Sequence, residues 1–182
     1  MDRDRVVRLA IEGAFSEREA TLAKVENNVA RAIYEAILPA AERKAAAALP
    51  DRWTKRVTTL SVNVGGLAMD LVISGDPIPV PYSNRDGSKR IGATADPAHV
   101  EAVNRLNGEK GTLAADKRRA KASLEALVYS IRSLRELAEL WPEGEPYWSW
   151  LKDRSGKPVA GLPAPQIAEI NALLGLPKET PK

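Results

Sequence analysis

The sequence contains no cysteine, one histidine and one phenylalanine, and no apolar run approaches the length of a bilayer span. Without cysteine there can be no disulfide, no thiolate nucleophile and no cysteine-ligated zinc, which suits a reducing cytosol. The poverty in phenylalanine, beside four Tyr and four Trp in 182 residues, leaves a 44% hydrophobic share made mostly of Ala, Leu and Val. That composition favours helices over a large β core. The opening Met1-Asp2-Arg3-Asp4-Arg5 leads into an amphipathic helix and has no signal-peptide pattern. A soluble, cytoplasmic protein with no membrane partner is expected. Charge of one sign is also scarce: 27 basic and 24 acidic residues are interspersed, giving +3. This permits nucleic-acid contact without requiring it.

What the chain does have is helical periodicity. From Pro97 to Trp141, Val103, Leu106, Leu113, Ala120, Leu124, Leu127, Ile131, Leu134, Ala138 and Trp141 recur at three- and four-residue steps or their sums. That is the spacing of a coiled-coil seam. As one helix at ~1.5 Å per residue the stretch would be roughly 65 Å long, so its stripe needs a partner. Residues 3–38 supply one, with Val7, Ile11, Phe15, Leu22, Val25, Val29, Ile33 and Ile37 on a matching stripe. Pro39 ends that helix, and a short alanine-rich helix follows to Leu49-Pro50. Gly108 and Gly111, with Lys110 and Lys117 at seam positions, mark a place where the long helix is expected to bend or fray.

Between the helices the period changes to two. Val57–Val64 and Leu67–Ser74 flank Gly65-Gly66, a pair suited to a two-residue hairpin turn. Pairing Val64 with Leu67 sets Val62 opposite Met69, Leu60 opposite Leu71 and Thr58 opposite Ile73 on an apolar face. Asn63–Ala68, Ser61–Asp70 and Thr59–Val72 then form a mainly polar one, and a one-residue slip would mix the two. Residues 75–82 are too proline-rich for a central strand and read as extended edge or loop, and 83–96 read as a polar loop. Asp96-Pro97 is a helix start, and residues 165–174 form a last short helix ahead of Gly175. The expected fold is α+β and predominantly helical: a long antiparallel helical hairpin, coiled-coil-like, with an inserted β-hairpin at about residues 56–82. Residues 1–150 form this body and 151–182 a C-terminal extension.

The catalytic inventory is thin. His99 sits on the first turns of the long helix without an evident partner for proton transfer. Asp70, Asp76, Asp86 and Asp96 surround the hairpin, where aspartate is common for conformational reasons, so no metal site follows. Ser155-Gly156-Lys157-Pro158 reads as a turn and lacks the glycine spacing of a phosphate loop. No catalytic residue, cofactor or metal is assigned. The strongest charge feature is Lys117-Arg118-Arg119-Ala120-Lys121, with Arg105 and Lys110 on the same helix. These are the candidate contacts to nucleic acid or to an acidic partner, weighed against a solvated bend balanced by Glu109, Asp116 and Glu125. Tyr82, Arg85, Lys89 and Arg90 in the loop and Trp148 and Trp150 near the end of the helix are candidate partner contacts. Against the last two stands a structural role, sealing the end of the helical hairpin in a core short of bulky residues.

Leu49-Pro50-Asp51-Arg52-Trp53, Ser61-Val62-Asn63-Val64-Gly65-Gly66, Leu140-Trp141-Pro142-Glu143 and Leu173-Leu174-Gly175-Leu176-Pro177 together resemble a family of small bacteriophage proteins named for a nucleotide-modification-associated domain, the fifth of a series. The resemblance spans most of the chain. It implies a phage or prophage origin and action in the bacterial cytoplasm, and it brings no catalytic residues. The leading expectation is a non-enzymatic accessory protein that binds and modulates a host or phage macromolecule, a protein first. Nucleic-acid binding in support of DNA modification is the alternative, and a self-assembling homo-oligomer is a third.

Overall fold

The apolar stripe of the N-terminal segment forms α1 (Arg3–Ile37), which Pro39 closes before the alanine-rich α2 (Ala40–Ala48). A computed structural model describes residues 2–81, 91–154 and 165–176. The remaining elements are β1 (Thr54–Val57), β2 (Thr59–Val64), β3 (Leu67–Val72), β4 (Ile78–Pro81), β5 (Gly92–Thr94), α3 (Pro97–Ser130), α4 (Leu134–Leu140), α5 (Glu145–Trp148) and α6 (Pro165–Leu174). The fold is α+β and predominantly helical. The chain divides into two compact units, Met1–Arg18 with Thr112–Lys182 and the continuous segment Glu19–Gly111, so α1 and α3 each contribute to both.

The continuous unit is built on the hairpin. β2 and β3 pair antiparallel with Val64↔Leu67, Val62↔Met69 and Leu60↔Leu71, the register expected from the two-faced pattern. Gly65 and Gly66 both have positive φ, 57° and 91°, as a type I′ turn demands. Leu60, Val62, Val64, Leu71 and Ile73 face a core completed by Ala30, Ile33 and Tyr34 of α1 and by Val103 and Leu106 of α3. One piece of this architecture differs from expectation. Gly92–Thr94, read as loop, adds a short strand parallel to β2, giving the order β3-β2-β5. The proline-rich segment forms β4, which pairs antiparallel with β1 in a two-stranded ribbon, where Pro79 and Pro81 have no sheet interior to disrupt. The Tyr34 hydroxyl donates to the Pro79 carbonyl at 2.5 Å, tying α1 to this ribbon. Burial pushes the Tyr34 phenol above its usual pKa, partly offset by the nearby Arg43 charge.

In the other unit, Val6, Val7, Ala10, Ile11 and Phe15 of α1 are buried, as are Leu113, Ala120, Leu124, Leu127 and Val128 of α3. The two segments run antiparallel. Arg3 donates to the carbonyls of Val128 and Ile131 at 3.2 and 2.8 Å, while Arg18 pairs with Asp116 at 3.0 Å. α3 passes through Gly108 and Gly111 without interruption and ends at Ser130, not at Trp141 as the periodicity suggested. The reason is a local capping device. The Ser133 hydroxyl accepts from the Glu136 amide at 3.2 Å, and the Glu136 carboxylate accepts from the Arg132 amide at 2.8 Å, so a new helix starts there. Ile131, Leu137 and Trp141 remain buried across the break, which is why the apolar spacing continues through it.

Candidate nucleic-acid interface

The basic residues of α3 divide between the units. In the discontinuous unit, Leu113, Ala120 and Leu124 define the buried stripe of the helix. At about 100° per residue, Arg118 and Arg119 straddle the direction opposite that stripe. Both are exposed. The Arg118 Nε donates to the Ala114 carbonyl one turn back at 3.3 Å, and among the described residues neither arginine has a carboxylate partner. Lys121 is exposed and stands 3.7 Å from Glu125, while Lys117 is half-buried.

In the continuous unit, Arg105 is 3.0 Å from Glu101 one turn earlier on the exposed face of α3. Lys110 is engaged differently. Its ammonium lies 2.7 Å from Glu26, a buried carboxylate that also accepts from the Val72 amide at 2.8 Å. Lys110 therefore serves the packing of α1, β3 and α3, and its charge is already matched.

The aromatic candidates are mainly interior. Trp148 is buried, its indole N–H donating to the Trp141 carbonyl at 3.1 Å, and it presents no face to a partner. Trp141 donates in turn to Asn171 of α6 at 3.0 Å and stacks on Tyr147 at a centroid distance of 6.2 Å. Trp150 is half-buried, donates to the Tyr147 carbonyl at 2.9 Å, and is covered by the Arg5 guanidinium 4.1 Å from its ring centroid. These rings close the discontinuous unit. Tyr82, Arg85, Lys89 and Arg90 lie outside the described residues, as do Asp86 and the Ser155–Pro158 turn.

His99 and the carboxylates have local duties. The Thr94 hydroxyl and the His99 Nδ1 are hydrogen-bonded at 3.0 Å, and Asp96 caps α3 by accepting from the Ala98 amide at 2.9 Å. Asp70 accepts from the Ser61 hydroxyl at 2.6 Å. Among the described residues no three histidine or carboxylate groups gather as a metal site, and no helix is long and apolar enough to cross a membrane.

One surface feature escaped the sequence reading. Trp53, between α2 and β1, is 55% exposed, with the Arg52 guanidinium 5.5 Å from its ring centroid. Lys55 and Arg56 follow on β1 and are exposed, while Thr54 and Val57 are buried. The interleaving of an aromatic with three cations in Arg52-Trp53-Thr54-Lys55-Arg56 was the available signal.

A family model described as nucleotide modification associated domain 5 matches residues 3–177. The chain belongs to this family. No curated protein and no solved structure shows significant similarity to it. In this nucleotide modification associated domain, the matched region runs from the first residue of α1 to beyond α6, so both units belong to the domain.

Proposed function

We propose that this nucleotide modification associated domain is a non-enzymatic accessory of DNA modification that acts by binding nucleic acid, in a phage or prophage setting within the bacterial cytoplasm. The supporting observation is the pair Arg118 and Arg119, which flank the outward face of α3 without carboxylate partners among the described residues. Unmatched guanidinium groups on an exposed helix suit phosphate oxygens, and the counterions they displace make binding salt-dependent. The family's tie to nucleotide modification makes DNA the natural polyanion. His99, the sole imidazole, is tied to Thr94 and is assigned no proton-transfer role.

The test is binding of a labelled DNA duplex across a salt series. Arg118→Ala with Arg119→Ala is expected to weaken binding at every sequence and to lower the salt slope by about two. Binding that is insensitive to salt, or unchanged in the double variant, would rule out this surface.

A second reading, modulation of a host or phage protein, draws on the sheet. β3 is an edge strand, and Leu67 and Val72 on it are 66% and 48% exposed. Such an edge can accept a strand from a partner. Nuclease-resistant capture of a protein from bacterial lysate, lost when Leu67 is replaced by Lys, favours this reading, and sedimentation separates it from self-assembly.

A further inference from the structure

We propose that the corner between α2 and β1, centred on Trp53, is a stacking platform for single-stranded nucleic acid. This extends the nucleic-acid reading but uses residues of the continuous unit alone, not the arginines of α3.

Trp53 is an exception among the tryptophans. Trp141 and Trp148 are buried and Trp150 is half-buried under Arg5, whereas Trp53 is 55% exposed, with the Arg52 guanidinium 5.5 Å from its ring centroid. Its backbone is nonetheless fixed on both sides. The Trp53 amide donates to the Pro50 carbonyl at 2.8 Å, and the next residue, Thr54, is buried and paired with Pro81 in the β1–β4 ribbon. An exposed indole on a fixed backbone, with two side-chain torsions to order, offers a π-face at small entropic cost, as a base-stacking residue should.

The surrounding charge has the matching sign. Residues 42–56 carry five basic and two acidic side chains. Lys55 and Arg56 follow the ring on β1 and are both exposed; successive side chains of a strand alternate faces, so a backbone whose base lies on Trp53 has one of these two cations on its own side. The Arg56–Asp51 ion pair is long, 3.7 Å, with both side chains largely in water, so it offers little resistance to exchange for phosphate.

The choice of a single strand follows from the ring. Inside a duplex every base face is already stacked, and a flat indole gains a face only where a base is out of the stack. Reactions on nucleobases require such extruded or single-stranded bases. A site that holds the unstacked strand is thus a direct service to modification.

The experiment uses the full chain with fluorescein-labelled dT15 and a labelled 15-base-pair duplex, at two salt concentrations. Trp53→Ala is expected to weaken dT15 binding roughly 5- to 150-fold, Trp53→Phe to retain most of it, and neither to change duplex binding by more than about twofold. The Arg118→Ala/Arg119→Ala variant should behave in the opposite sense. Because Trp53 is exposed, an unchanged circular dichroism melt is expected and separates contact from folding. Unaltered dT15 binding in Trp53→Ala overturns the platform, as does absence of dT15 binding by the unmodified chain. Duplex binding that persists in either case leaves the broader function standing. Tighter binding of a polyglutamate peptide than of dT15, lost in Trp53→Ala, also overturns the proposal by making the site one for acidic protein.

Discussion

Lys110 shows how far residue type alone can mislead about role. On the sequence it is one more cation on a basic helix, yet its ammonium meets a Glu26 side chain that is only 8% exposed. Glu26 itself takes the buried position of α1 between Leu22 and Val29, where the periodicity placed Val25; Val25 is instead 36% exposed. Removing the cation strands a carboxylate with one remaining hydrogen bond, from Val72. Lys110→Met is therefore expected to destabilise the protein by about 1–3 kcal/mol, less than for a fully buried pair because the lysine is 38% exposed. Arg105→Met, which removes an exposed pair one helical turn apart, should cost at most about 0.5 kcal/mol. Urea unfolding of both variants decides it: equal midpoints would mean that the buried pair contributes no more than a surface one. The cations were legible as a cluster, but the partner of Lys110 was not. The acids that claim them, Glu26 for Lys110 and Glu101 for Arg105, lie respectively on a distant helix and one turn away, and only the former needs tertiary structure to be seen.

At the scale of elements, what was legible is what local rules specify. Gly65-Gly66 and strict alternation set the β2–β3 register, because only one pairing keeps the apolar positions together. β1 and β5 were not legible as strands, and β4 only as extended edge or loop, since each has four residues or fewer and is defined by a partner far along the chain. The break between α3 and α4 is intermediate. Its signal, Ser133 followed three residues later by Glu136, stood in the sequence, but the uninterrupted apolar spacing outweighed it. The break has two supports: the Ser133 cap on the α4 side and Arg3, which satisfies the carbonyls of Val128 and Ile131 on the α3 side. Ser133→Ala is expected to lower stability by about 1 kcal/mol, a drop in melting temperature of roughly 2–4 °C for a chain of this length. Ser133→Asp, which keeps an acceptor at the cap, should restore it. A melt unmoved by Ser133→Ala would assign the break to Arg3 alone.

For the whole molecule, the division into units carries a consequence that the helix count does not. The core around Leu60, Val62, Ile33 and Leu106 is drawn entirely from residues 19–111, one uninterrupted length of chain. The other unit must bring together residues 1–18 and 112 onward, so its folding requires that the intervening chain close a loop. A unit that owns its core and its chain can fold alone, whereas a discontinuous one depends on closure. A fragment of residues 19–111 is accordingly expected to unfold cooperatively, with its ends frayed where α1 and α3 are cut. Residues 112–182 alone should not, because Val6, Val7, Ala10, Ile11 and Phe15 are missing from their core. Native-state hydrogen exchange on the intact chain provides the complementary reading. The amides of β2 and β3 should share one opening free energy, and those of α4 and the last turns of α3 should share a lower one. A single opening free energy for both sets, together with an unfolded 19–111 fragment, would show that the two cores are one cooperative system despite their separate membership.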